Sequence, residues 1–412
     1  MKAGRWPRWL RILIGSGATL AVIAVGWFAW MVFLGGIAIS DRTMLWRMLR
    51  EEGVAPPTSE VIARQLRVPA GYTLTLWAQD LPSARLMVPT PTGDLILSQP
   101  RGGVVVLLLA DRDDDGRSDG RKTLFSGLDR PNGVDLHEGW LYVAEATAVS
   151  RVPFNAETRA VQGKLQPLVS GLTADGGHWR KTARIGPDGK LYLGQGSTCN
   201  VCLEKDARRA TMMRFDADGS RGEIIATGLR NPYGFDWAPW DSALYATENS
   251  RDLLGDDIPP DELNRIVPGG FYGWPYVHGR SIIDPDYGKG QEALIAKALP
   301  PAHEFRAHNA PLGIRFLRHP GRPPGFDRAA LVALHGSWNR STPDGYKVVS
   351  LHFKDNGLIE ERPFLDGFRG ESGLIGRPVD VAEGADGAIF VSDDYAGVVY
   401  RITAKIAAAE VP

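Results

Sequence analysis

The chain of 412 residues is 43% hydrophobic and 23% charged, a globular balance longer than one ordinary domain, which excludes a disordered or fibrous protein. Lys and Arg total 47 against 48 Asp and Glu, so the net charge of -1 excludes a nucleic-acid partner held by bulk electrostatics. The 48 Gly, 29 Pro and 12 Trp suit many short strands, and 2 Cys exclude a disulfide-dense scaffold.

Between Ile12 and Ser40 no residue is charged, a run longer than the ~20 residues a helix needs to cross a bilayer. Lys2, Arg5, Arg8 and Arg11 precede it without an acid, and Asp41 follows, so the positive-inside rule keeps the N-terminus cytoplasmic. The expectation is an uncleaved single-pass anchor over 1–40 in the inner membrane, because neither the short apolar core nor the cleavage site of a signal peptide is evident. Residues 41–66 read as a short amphipathic helix and tether, 67–405 as a periplasmic catalytic domain and 406–412 as a tail.

Beyond residue 67 one pattern recurs: a polar turn with Gly or Asp, an apolar strand, a small-polar turn and a second strand. The copies lie near Gly93, Gly139, Gly189, Asp241, Ala329 and Gly387, spaced by ~50 residues with one longer gap, the range of four-stranded propeller blades. A Gly-Leu or Gly-Phe signature precedes several of them, in "TLFSGLDRPNGV", "PLVSGLTADGGH", "IIATGLRNPYGF" and "PFLDGFRGESGLIGRP". The spacing predicts an all-β, six-bladed β-propeller, with a solenoid of strand pairs as the alternative. Polar residues after each signature should then converge on one mouth of the channel: Arg130, Asn132, His178, Arg180, Lys181, Arg230, Asn231, His308, Asn309 and Arg377. Such a ring of cations repels itself unless an anion sits inside it or loop acids such as Asp129 and Asp380 pair with it. His178, in a Gly-rich turn, is the natural general base, and Arg230 with Asn231 offers a cation and an amide to a developing negative charge.

Three further segments carry metal or sulfur chemistry. In "DRDDDGRSDG", Asp111, Asp113, Asp115 and Asp119 match positions 1, 3, 5 and 9 of a calcium loop and Gly116 matches position 6, while position 12 is Lys122 instead of Glu. This is a candidate structural calcium turn. The segment "ENSRDLLGDDIPPDELNRIVPGGFYGWPY", placed after the fourth blade, is rich in oxygen donors suited to a hard cation. Cys199 and Cys202 form a C-x-x-C with no second half, which outside the cytoplasm suits a local disulfide.

Taken together, "GGHWRKTARIGPDGKLYLGQGSTCNVC", "GLRNPYGF", "DDIPPDELNRIVPGGFYGWPY", "HNAPLGIRF" and "HGSWNRSTPDGYKVVSL" resemble the sugar dehydrogenases that use pyrroloquinoline quinone (PQQ), nearest to the sorbosone and pyranose dehydrogenase-like members, over about residues 66 to 405. The resemblance implies a six-bladed propeller, with His178 as the base for the sugar hydroxyl. It places Arg230 and Asn231 near the quinone and Arg377 over the cofactor, and it makes His335 and Arg340 weaker cofactor contacts. It also implies a calcium-binding region that takes in Asp257, Glu262 and Tyr272, with Ser250, Arg251 and Asp252 as the candidates to offer backbone carbonyls. Electrons would pass to a separate acceptor, a cytochrome or the membrane quinone pool. "HEFRAHN" at His303–Asn309 stands where glucose-oxidising relatives carry aromatic residues, which argues against glucose. The rival readings are a calcium-dependent lactonase or esterase, and a non-catalytic propeller that binds a glycan or protein.

Overall fold

In the computed structural model, which describes residues 26, 38–50, 52–371 and 373–404, six sheets of four or five strands stand around one axis. Their innermost strands are Met87–Pro89, Gly133–His137, Lys181–Ile185, Pro232–Trp237, Pro311–Phe316 and Pro378–Glu383. Each touches the next, and the last touches the first, so the ring is closed. The six-bladed propeller expected from the repeat is the fold. Second strands such as Leu95–Gln99, Leu191–Gln195, Leu244–Glu248 and Ile389–Asp393 are buried at every residue because neighbouring blades cover both faces. Their sequences are therefore continuous apolar or small-residue runs and do not alternate.

The sixth blade is built from both ends of the domain. Tyr72–Ala78 pairs antiparallel with Val398–Ala404, from Tyr72 opposite Ala404 to Leu76 opposite Tyr400. Side chains have little room near the axis. A Cβ on Gly234 would meet the carbonyl of Leu312, and one on Gly313 the carboxylate of Asp380. At this end of the channel Arg318 forks onto Asp236 at 2.9 Å through both terminal nitrogens, and Arg184 lies 3.7 Å from the same carboxylate.

Because successive strands are antiparallel, loops joining second to third strands, and outer strands to the next blade, emerge on one face. The other two kinds of loop emerge on the opposite face. The acidic segment 249–260, placed after the fourth blade by sequence, lies inside that blade, between Leu244–Glu248 and Asp261–Ile266.

The segment read as helix and tether contains two helices, Arg42–Leu49 and Ser59–Gln65, and is laid across the propeller. Met44, Ile62 and Leu66 are buried in the core shared by the fifth and sixth blades. Main-chain hydrogen bonds run from Ser40 N to Trp338 O (2.9 Å) and from Val54 N to Tyr395 O (2.8 Å). The anchor expected over 1–40 and the tail at 406–412 fall almost wholly or wholly outside the described residues. Among the described residues no helix is long and apolar enough to cross a membrane.

Candidate active site

A cavity of about 380 Å³ opens on the face where the loops into each inner strand meet the second-to-third-strand loops. Of the residues expected there, His178, Arg180, Arg230, Asn231, His308, His335, Arg377, Ser250 and Asp252 line it. Asp261, one of the acids of the segment read as suited to a hard cation, lines it as well, and so do Arg85, Arg101, Tyr233, Trp338 and Asp394, which were not foreseen.

His178 is set up as a base. Its Nδ1 lies 2.9 Å from Ser197 Oγ and 3.0 Å from Ser197 O, and Ser197 Oγ spends its own proton on Cys199 O at 2.6 Å. Both neighbours of Nδ1 are thus acceptors, which places the ring proton on Nδ1 and leaves Nε2 with its lone pair. Burial, then the cations of Arg230, Arg209 and Arg180, hold the imidazole well below the ordinary histidine range, so it is neutral at pH 7.

The cations divide into braced and unbraced. Arg230, buried, donates to Asn200 O (2.8 Å), Asn200 Oδ1 (2.9 Å), Asn249 O (2.9 Å) and Asp252 Oδ2 (2.9 Å), so most of its fork is committed to holding loops together. Arg377 donates to His335 O and Gly336 O. Arg85 donates to Tyr233 Oη and to Asp394 Oδ2 at 2.7 Å. Arg180 differs: it lies over the Trp179 ring at 4.6 Å, its Nε has no partner, and it donates to no acid among the described residues. Burial and then the repulsion of Arg85 pull its guanidinium down to about 10. A partly buried cation with no acid bonded to it, and only the through-space field of Asp394 in its favour, leaves a place for an anion.

His335 Nε2 donates to Asp394 Oδ1 at 2.9 Å, and burial with Arg377 pulls this histidine down to about 4, so it is neutral. Burial pushes Asp394 up, but His335 and Arg85 outweigh it and keep the carboxyl well below the usual range. The opposite wall is acidic. Asp261 accepts Ser250 N and Ala310 N at 2.8 Å each and is pushed up to about 7 by burial. Asp252 lies alongside it on the cavity wall, and Ser250 Oγ is buried without a partner.

Several expected site residues are elsewhere. Arg130 is half-exposed, bonded to Asp129 at 3.1 Å and stacked against Trp179, so the loop-acid pairing holds for this cation. Lys181 turns behind the wall, donating to Thr173 O and Trp179 O, and burial with Arg209 pulls it down to about 7. Asn132 and Asn309 are buried and do not line the cavity. Arg340 clamps the acidic segment, donating to Ala307 O and Asp257 Oδ1, and is not a cavity residue.

The six expected calcium ligands do not form one shell. Arg251, a candidate for its backbone carbonyl, is not among the residues that line the cavity, and its side chain pairs with Asp284 and Asp286. Asp257 is exposed beside Arg340. Tyr272 donates to Arg265 O from within the core. Glu262 is buried with Glu248, both accepting from Asn264, and burial raises both carboxyls, helped by Glu262 at Glu248 and by Glu304 at Glu262. Only Ser250 and Asp252 face the cavity, because strand Asp261–Ile266 sends Asp261 to it and Glu262 to the other side. Cys199 and Cys202 form a disulfide. Its loop carries Asn200, which accepts from Arg230 and from Asp252 N.

The mouth of the propeller thus brings a neutral histidine, an arginine with no acid bonded to it and an acidic wall into one cavity. The chain belongs to the TrAA12-like family, whose model matches residues 66–266 and 288–405. It is 37% identical over 296 residues to an uncharacterized protein of Borreliella burgdorferi, covering 68% of this chain and 77% of that one. It is 34% identical over 277 residues to the pyrroloquinoline quinone-dependent pyranose dehydrogenase of Coprinopsis cinerea, covering 51% of this chain and only 37% of that enzyme's length. Among solved structures, the Trichoderma reesei carbohydrate-active enzyme of family AA12 superposes with a TM-score of 0.72 at 22% identity, covering 82% of this chain and 98% of that one. The PQQ-bound aldose sugar dehydrogenase of Streptomyces coelicolor does so at 0.57 and 20%, covering 82% and 99%. These likenesses show the shared fold.

Proposed function

We propose that the protein is a quinoprotein sugar oxidoreductase that uses PQQ and calcium. The observation that carries this reading is the neutral His178, with Nε2 free, in one cavity with Arg180, to which no acid is bonded. A tricarboxylate quinone fits that donor set, and the unpartnered Ser250 Oγ beside Asp252 and Asp261 fits a hard cation next to it. Arg180, with Arg85 and Arg377 around it, would hold the cofactor's carboxylates, and Ser250, Asp252 and Asp261 would hold calcium. When bound, the quinone supplies a two-electron hydride acceptor.

The chain's own part is proton transfer and positioning. His178 Nε2 takes the proton of a sugar hydroxyl as the same carbon gives up its hydride and its C–O bond becomes C=O. Ser197 holds the ring through Nδ1 and so fixes which nitrogen faces the substrate. Arg230 offers a positive charge and Asn231 a neutral amide to the cavity wall where charge develops.

The finer parts of the proposal rest on the sequence. The substrate is an aldose or a sorbosone-type hydroxy-aldehyde. The uncharged run 12–40 anchors the propeller on the periplasmic face of the inner membrane, and electrons pass to a cytochrome or the quinone pool there. A lactonase would need neither Arg180 nor the other cavity arginines. The test is turnover of an artificial dye with a panel of aldoses after loading with PQQ and calcium. The wild type should reduce the dye, and H178A should bind the cofactor while losing about 10²–10⁴-fold in kcat. A folded protein that binds the quinone yet oxidises no sugar would overturn the substrate class, and unchanged turnover in H178A would overturn the base.

A further inference from the structure

The loop Asp111–Gly120 joins the third and fourth strands of the first blade, Val104–Leu108 and Arg121–Phe125. It therefore lies on the face opposite the cavity and belongs to no part of the proposed active site. Carboxylate oxygens of Asp111, Asp113 and Asp115 lie within 4.8 Å of one another. The Asp111 side chain is only 3% exposed; its Oδ2 accepts Gly116 N (3.0 Å) and Arg401 Nη1 (3.3 Å), while its Oδ1 is buried with no partner among the described residues. A buried carboxylate oxygen without a donor, in a group of three carboxylates, is unfavourable unless a cation completes it. Gly116 has φ +83°, the sharp turn that position 6 of a calcium loop requires. Lys122, at position 12, is turned away to donate to Arg159 O, so Asp119 at position 9 is the remaining carboxylate that can close the shell.

We propose that this loop is a calcium site separate from the cofactor, bound by Asp111, Asp113, Asp115 and Asp119 with the backbone carbonyl of Arg117, and that it fastens the seam where the ring closes. The loop touches the closing blade at several points. Ser118 N donates to Trp77 O (2.8 Å) in strand Tyr72–Ala78. Arg121 donates to Asp80 O just after that strand. Arg401 of Val398–Ala404 reaches Asp111 on one side and Asp386 on the other. An ion at Asp111 thus ties the first blade to the two strands that close the sixth. Oxygen donors in a flexible loop, without a bidentate twelfth ligand, select calcium over the smaller, octahedral magnesium and place the Kd at about 10⁻⁴–10⁻³ M.

The experiment is equilibrium dialysis of the full chain with calcium alone, in the absence of any quinone, with the Tm recorded across the same calcium range. The variant is D113N/D115N; both side chains are exposed, so the substitution removes charge without opening the core. The wild type should bind one more calcium ion than the variant, and calcium but not magnesium should raise its Tm by a few degrees while leaving the variant's unmoved. D119N, which keeps the group of three carboxylates, is the second readout and should weaken binding at least about tenfold. Equal stoichiometry and an equal calcium-dependent Tm shift in wild type and D113N/D115N would overturn the site. The result is read without the cofactor and so is independent of whether the protein oxidises sugars.

Discussion

At the residue scale, His178 and Arg180 divide the chemistry between them. His178 acts as a base only when neutral, and its folded-state pKa is depressed by burial and by Arg230. Activity is therefore full above that depressed value and lost as pH falls through it. The acid limb of kcat/KM should lie well below the ~6.5 of an ordinary histidine, measured as a pH profile of dye reduction. An acid limb at or above 6.5 would contradict the assignment. R180Q should raise the Kd for the quinone about 10–100-fold, the worth of a charge-assisted contact, with a much smaller change in kcat at saturation. His178, Arg230 and Arg377 were legible because their places in successive repeats are equivalent. Arg85 was hidden for a topological reason: "QDLPSARLMV" follows the strand that closes the sixth blade and so lacks the Gly-Leu signature that marks the other entries. Asp394 was hidden because the neighbouring Asp393 is structural, accepting from Arg377 N, Tyr395 N and Ala396 N.

At the scale of elements, the loop from Gly196 to Ala210 shows how local covalent structure sets cavity geometry. The Cys199–Cys202 disulfide closes a loop whose members each reach a site group: Ser197 to His178, and Asn200 to Arg230 and Asp252. Closing so short a loop contributes about 2 kcal/mol through the unfolded chain. C199S/C202S should therefore lower the Tm by only a few degrees but lower kcat and cofactor affinity together, because Arg230 and His178 lose their braces at once. A variant that loses stability alone would show that Asn200 is held without the disulfide. The sequence made the pairing legible, whereas the hydrogen bonds from Asn200 depend on blade packing that no spacing encodes. The calcium ligands around Glu262 and Tyr272 were misplaced for a related reason. Strand alternation sends Glu262 away from the cavity, and the sequence read as one acidic loop crosses from loop into strand at Asp261.

At the scale of the whole molecule, the ring is closed by hydrogen bonds between distant ends and by the narrowness of its axis. Gly313 has an ordinary φ, and a Cβ there would press on Asp380 of the neighbouring inner strand. G313A should destabilise by about 1–3 kcal/mol through overpacking alone, read as a lower midpoint in denaturant. A neutral effect would mean that the inner strands can spread. The blade count was legible because each blade repeats one apolar pattern at nearly constant spacing. The contribution of Tyr72–Ala78 to the last blade was not, because pairing across the whole domain leaves no local signal. The strand also explains why residues 41–66 lie on the propeller: their chain leads directly into the seam, and Glu52 and Gly53 form part of the cavity wall.

The measurement that tests the account most directly is titration of the purified full chain with PQQ in the presence of calcium, following the absorbance of the bound quinone in wild type and R180Q. The account predicts one quinone per chain in the wild type at micromolar concentration, dependent on calcium, and markedly weaker binding in R180Q. A folded wild-type protein that takes up no quinone at micromolar concentration, or that binds it as tightly without Arg180, would contradict it.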